Sequence, residues 1–238
     1  MHGLFGSARN WAAVARRLSA SHRVISVDLP NHGESPSATH LTYQSMAEAV
    51  AELMARETPR GAALLGHSMG GKVAMTLALT RADLVTRLIV ADIAPVPYGH
   101  QDENDSIIDA LLGLPLAQIR SRAQADTALA EKIGDPLLRS FLLANLIRDG
   151  DGFAWKIDLA ALKQSLPALH GFPELAARYD GPTLFLRGEK SGYVRDSHKA
   201  AIEHYFPKAR IETVAGAAHW LHADKPDEVF SLVSGFLG

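Results

Sequence analysis

Ser68, Asp92 and His219, in that chain order, are the residues whose types and spacing can do chemistry in this 238-residue sequence. Ser68 stands in Leu64-Leu65-Gly66-His67-Ser68-Met69-Gly70-Gly71. An apolar run ends at Gly66, and Gly70 and Gly71 open a segment suited to a helix. The pattern is a strand, a tight turn that lifts the hydroxyl clear of the strand, and a helix whose glycines let the two backbones pass without a Cβ clash. A serine hydroxyl is a poor nucleophile until a base takes its proton, and the base must itself be oriented by a third group. His219, in the loop Ala215-Gly216-Ala217-Ala218-His219-Trp220, is the candidate base. Asp92 leads as the acid because it ends the apolar run Arg87-Leu88-Ile89-Val90-Ala91; Glu189 and Asp196 stay open as alternatives. Together these residues predict acyl transfer through a serine.

The tetrahedral intermediate of such a reaction needs two fixed N–H donors where its negative charge develops, each worth about 3 kcal/mol. The loop His2-Gly3-Leu4-Phe5-Gly6-Ser7 feeds Trp11, Val14, Ala15 and Leu18 at helical spacing, and the backbone of Leu4 is the first candidate donor. Met69, the residue after the nucleophile, is the second. Phe5, Trp155 and Trp220 are the candidate substrate-binding side chains. Asp28 and His32, in the turn-rich stretch after Arg23-Val24-Ile25-Ser26-Val27, read as polar residues that tie down a loop rather than as catalysts.

Elements that alternate must position these groups. Strand signals at residues 23–28, 62–65, 87–91, 183–186 and 210–214 alternate with helical ones, which implies a mostly parallel sheet covered on both faces. Between Pro95 and Asp180 the rhythm changes. Leu137, Leu138, Phe141, Leu142 and Ala144 to Ile147 suggest helices, broken at Gly134-Asp135-Pro136 and at Asp149-Gly150-Asp151-Gly152. Residues 95–180 are therefore expected to form a helical cap over a core of residues 1–94 and 181–238, with a short turn or hairpin near Trp155 turning its aromatics to the cleft.

Composition narrows the function further. A net charge of −2 and scattered basic residues provide no footprint for nucleic acid. The absence of cysteine excludes thiolate metal sites and a cysteine nucleophile, and suits a reducing, cytoplasmic setting. The 11 histidines contain no His-Glu-x-x-His, and Gly70-Gly71-Lys72 lacks the spacing of a phosphate loop, so neither a metal nor an organic cofactor is expected. No apolar run is long enough to span a membrane.

Five spaced words carry a resemblance: His2-Gly-Leu-Phe-Gly-Ser, Asn31-His-Gly-Glu-Ser-Pro, Gly66-His-Ser-Met-Gly-Gly-Lys, Asp92-Ile-Ala-Pro-Val and Gly216-Ala-Ala-His-Trp-Leu-His-Ala-Asp-Lys-Pro. The chain resembles the small serine esterases of the α/β-hydrolase superfamily, among them bacterial acyl-ester and acyl-CoA esterases and a mitochondrial abhydrolase-domain protein. The resemblance implies the α/β-hydrolase fold, a mostly parallel sheet flanked by helices with an inserted helical cap, and no cofactor. It implies a carboxylesterase acting on short to medium acyl esters through an acyl-enzyme, a thioesterase on acyl-CoA being the nearest alternative. A chain that keeps the fold only to bind ligands is the alternative from another class. Many relatives carry the acid in a Gly-x-x-Asp turn, here Gly188-Glu189-Lys190-Ser191; the small esterases use the aspartate of Asp92-Ile-Ala-Pro, which supports Asp92. The family also places its first sheet strands before the His-Gly word, whereas Met1 precedes His2 here. The strand that belongs between residues 23–28 and 62–66 is accordingly expected to be missing.

Overall fold

A computed structural model describes residues 1–99 and 101–238. The chain runs α1 (Ala12–Leu18), α2 (Tyr43–Glu57), β1 (Ala62–His67), α3 (Met69–Thr80) and β2 (Val85–Ala91). It continues through α4 (Gln101–Leu112), α5 (Arg122–Leu129), α6 (Pro136–Leu143), a hairpin of β3 (Leu146–Asp149) and β4 (Gly152–Trp155), and α7 (Leu159–His170). It closes with β5 (Thr183–Gly188), α8 (Lys199–Tyr205), β6 (Ala209–Val214), α9 (Leu221–Asp224) and α10 (Pro226–Leu237).

The main sheet has the order β1-β2-β5-β6, with every neighbouring pair parallel. Its central strands are apolar on both faces because helices cover both. Side chains alternate across β2 and β5: Leu88, Val90 and Phe185 pack with α2, α3 and α7, while Ile89, Ala91, Leu184 and Leu186 pack with α1 and α10. Parallel strands joined by helices all end at the same edge. Ser68, Asp92, Gly188 and the loop holding His219 therefore gather at the carboxyl edge of the sheet, where ligands of open α/β sheets bind.

Two expectations are corrected. Residues 23–28 join no strand, because no strand of the described residues lies between them and β1 to pair with; a cavity of about 240 Å³ is lined by residues 23–27 and by Ala62–Leu65 of β1. Beside that cavity Met1 pairs with β1: its amino group donates to the Leu65 carbonyl at 2.7 Å, and the His67 N–H donates to the Met1 carbonyl at 3.1 Å. Leu146 and Ile147 lie in β3, not in a helix. Gly150, with φ of 54°, and Asp151 form a two-residue turn that brings β3 back antiparallel against β4, so the ladder satisfies backbone groups a helix would otherwise have used.

Close packing at the elbow gives the first prediction. A Cβ on Gly66 would lie 2.1 Å from the Gly70 carbonyl oxygen, a backbone atom that cannot swing away. Gly66→Ala is expected to cost about 3 kcal/mol, read as a lowered midpoint in urea unfolding, and to displace α3 from β1.

Candidate active site

Ser68 has φ of 51° and ψ of −119°, a left-handed turn that a β-carbon tolerates poorly. Its backbone is held there from below by its N–H, which donates to the Ala91 carbonyl at 3.0 Å, and from ahead by Gly71 and Lys72, whose N–H groups donate to its carbonyl. The strain thus lifts Oγ out of the sheet at the N-terminus of α3.

His219 meets that oxygen. Its Nε2 is 3.0 Å from Ser68 Oγ and its Nδ1 is 2.8 Å from Asp92 Oδ2. With Nδ1–H donating to the carboxylate, Nε2 is left as the acceptor facing the serine. The His67 Nε2–H donates to the His219 carbonyl at 2.8 Å, and the Tyr193 ring stacks on the imidazole with centroids 4.0 Å apart. The loop and ring orientation are thereby both constrained.

Asp92 is fully buried. Its Oδ1 accepts the Gly188 N–H at 2.9 Å, and its Oδ2 accepts the Ser191 hydroxyl in addition to His219. Three donors thus converge on the buried carboxylate. Of the acids left open by sequence, Asp92 alone contacts His219 among the described residues. Glu189 instead accepts the Gly216 N–H, and Asp196 pairs with Arg187.

Ser191 and Tyr193 were not singled out from sequence. A signal for Ser191 existed: it occupies the fourth place of Gly188-Glu189-Lys190-Ser191, where the turn would otherwise hold the acid. Its hydroxyl reaches the carboxylate supplied by the neighbouring strand.

The Gly3 to Gly6 loop lies against the nucleophile. A Cβ on Gly3 would come within 3.0 Å of His67 Nδ1 and 3.2 Å of the Ser68 Cβ, so a side chain there would have to displace its neighbours. Two imidazoles hold the loop. His32 Nε2 accepts the Phe5 N–H at 3.3 Å while its Nδ1–H donates to the Pro30 carbonyl; His2 Nε2 accepts the Leu29 N–H while its Nδ1–H donates to the Gly3 carbonyl. Asp28 accepts the Ala8 and Glu34 N–H groups, so Asp28 and His32 do organise loops.

A cavity of about 570 Å³ opens onto Ser68. Leu4, Met69, Phe5 and Trp220 line it, as do Leu138 and Phe141 of α6, whose ring packs on Trp220 at 5.2 Å. Trp155 does not reach it. Its Nε1–H donates to the Leu111 carbonyl, which fastens β4 to α4 within the inserted segment, so its expected place at the cleft is corrected.

Four buried histidines around this site are neutral. Burial pushes His2 down to about 3 and His222 to about 4, and lowers His32 and His67 as well. In the unfolded chain these imidazoles take protons near pH 6.5. The unfolded state then binds more protons, so their contribution is complete above about pH 6.5 and is lost as pH falls toward about 3. The histidine contribution to the melting temperature is expected to hold steady above neutrality, and the melting temperature to drop by ~10 °C near pH 4.5. His222→Phe, which keeps the stack on Trp11 and removes a buried Nδ1 that has no partner among the described residues, lessens that drop in a calorimetric pH series.

Comparisons with known proteins agree with this geometry. Residues 1–232 match the alpha/beta hydrolase family. The chain is 39% identical over 243 residues to the sn-1-specific diacylglycerol lipase ABHD11 of Mus musculus, spanning 100% of this chain and 79% of that protein. It is 34% identical over 237 residues to the esterase YbfF of Escherichia coli strain K12, spanning 100% and 91%. Among solved structures, a marine microorganism esterase superposes with a TM-score of 0.96 at 35% identity, covering 99% of this chain and 93% of that one. No helix among the described residues is long and apolar enough to cross a membrane. The chain belongs to the alpha/beta hydrolase family, among its carboxylic ester hydrolases.

Proposed function

We propose that the protein is a serine carboxylesterase for short to medium acyl esters. The observation that carries this reading is the continuous line from Ser68 Oγ through His219 to buried Asp92, at 3.0 and 2.8 Å. His219 Nε2 takes the hydroxyl proton as Oγ attacks the acyl carbon, and the N–H groups of Leu4 and Met69 receive the oxyanion. Asp92 keeps Nδ1 protonated and stabilises the imidazolium. His219 then gives its proton to the leaving alkoxide, the C–O bond breaks, and the acyl group stays on Ser68. Water deprotonated by His219 attacks that ester, releases the acid and returns the proton to Oγ.

Residues 95–180 act as a cap in this reading, with Leu137, Leu138 and Phe141 of α6 shaping the acyl pocket beside Phe5 and Trp220. The substrate is a small acyl ester and no cofactor takes part; a chain without cysteine is suited to the cytoplasm. The same triad would open a thioester. The three cap arginines nearest to such a role are engaged locally: Arg139 pairs with Asp126, Arg122 donates to the Leu143 carbonyl and Arg120 to the Ala117 carbonyl. Incubation with p-nitrophenyl esters from acetate to laurate tests the reading. Turnover that falls off at the longest chains and is abolished by an alkyl phosphonate bound to Ser68 is the expected result. A folded chain that neither turns over nor reacts would establish the binding-only alternative.

A further inference from the structure

Lys72 is charged chemistry that the triad does not use. It lies one helical turn after Ser68 on α3, is 1% exposed, and also borders the cavity. Among the described residues no carboxylate pairs with it. A cation in the first turn of a helix opposes that helix's own dipole, so α3 gains nothing from it.

The ammonium points instead at the last turn of α7. Its Nζ donates to the His170 carbonyl at 3.3 Å and to the Gly171 carbonyl, and it lies over the rings of Tyr98 at 4.8 Å and Tyr43 at 5.4 Å. The Tyr43 hydroxyl donates to the Leu169 carbonyl, and the Tyr98 N–H donates to the His170 carbonyl. Core residues from α2, α3 and the segment after β2 thus satisfy the carbonyls that end α7. A positive charge is favoured there by the dipole of α7 and by the faces of two aromatic rings. Leu166 and Leu169 of the same helix are walls of the cavity that holds Ser68.

We propose that Lys72 is a specificity-determining positioning residue: its ammonium pins the carboxyl end of α7 to the nucleophile helix and so sets the depth of the acyl pocket, making chain-length preference depend on the charge of Lys72. The proposal rests on the esterase reading above. An acetyl group needs only the triad and oxyanion donors, all on the sheet edge, whereas a longer acyl chain must lie against Leu166 and Leu169.

Burial pushes the Lys72 ammonium down to about 7, so the pin is charged below neutrality; above it a neutral amine keeps N–H donors for the carbonyls but loses the charge that strengthens those bonds. The ionisable side chains facing it are Tyr43 and Tyr98, both held neutral by burial, and His170; Glu103 borders the same cavity.

The test is the ratio of kcat/KM for p-nitrophenyl octanoate to that for the acetate, measured from about pH 6 to about pH 9 on the wild type and Lys72→Met. The ratio cancels any pH effect common to both esters and any loss of folded enzyme. In the wild type it is expected to fall on the order of tenfold as pH rises through neutrality, the change residing in KM for octanoate. In Lys72→Met it is expected to be low and flat. A flat wild-type ratio overturns the proposal even if the variant fails to fold. A pH dependence that survives in Lys72→Met belongs to a group other than Lys72 and also overturns the proposal. Turnover with an unchanged ratio leaves the esterase reading intact, whereas a wild type that hydrolyses neither ester overturns both.

Discussion

Ser68→Ala is expected to lower kcat on p-nitrophenyl butyrate by on the order of a million-fold while leaving KM and the melting temperature almost unchanged. In the proposed mechanism, removal of Oγ deletes the atom that forms the acyl bond, and His219 and Asp92 then have nothing to activate except water. Residual rate over the uncatalysed reaction would come from the oxyanion donors of Leu4 and Met69 and from substrate positioning. Stability is spared because Oγ hydrogen-bonds only to His219 Nε2 among the described residues, at a part-buried position. Active-site titration with an alkyl phosphonate completes the measurement: one equivalent binds the wild type, and none binds the variant. A variant retaining more than a hundredth of the wild-type rate would show that another group carries the acyl transfer.

Asp92→Asn is expected to lower kcat by on the order of ten-thousand-fold. The carboxylate does two things at once. It accepts Nδ1–H, which leaves Nε2 free to take the serine proton, and it offsets the charge that His219 acquires. An amide nitrogen in place of Oδ2 would face the ring, the imidazole would present its other tautomer, and Nε2–H would point at Ser68 without accepting its proton. The damage extends beyond tautomer choice because Gly188 N–H and the Ser191 hydroxyl converge on the same group. One of those donors would then oppose an N–H. The pH profile discriminates this from simple misfolding: rate in the variant is expected to recover partly at high pH, where the wrong tautomer is more readily deprotonated, while the circular dichroism spectrum stays native. Loss of less than tenfold would move the acid role away from Asp92.

Both variants act on residues that were legible before any coordinates. The elbow around Ser68 is legible because it is local: a strand, a turn and a helix meet within ten residues, and the steric demand for glycine at position 66 is written in the chain itself. His219 and Asp92 were legible by their places at strand ends, since parallel strands joined by helices deliver their carboxyl ends to one edge. The alternation of β2, β5 and β6 with helices was readable for the same reason, periodicity being a property of neighbours in sequence.

What the sequence by itself determined, then, is the order of the core and the residue types at its carboxyl edge: a serine on a tight turn, a late histidine, an acid at a strand end, and a sheet built from alternating elements. Tertiary structure alone decided the rest. Asp92, Glu189 and Asp196 were separated only by distance to one imidazole, a contact between strands far apart in the chain. Ser191 became a partner of the acid only because β5 lies beside β2. Trp155 was drawn away from the cleft by a carbonyl of α4, and residues 23–28, a strand by composition, found no strand to pair with. Lys72 reads as part of a glycine-rich word until α7 brings its carbonyls to the ammonium. Local patterns report which backbone a segment prefers, whereas the partner that satisfies a buried polar group is chosen by packing between distant segments, and no local pattern encodes it.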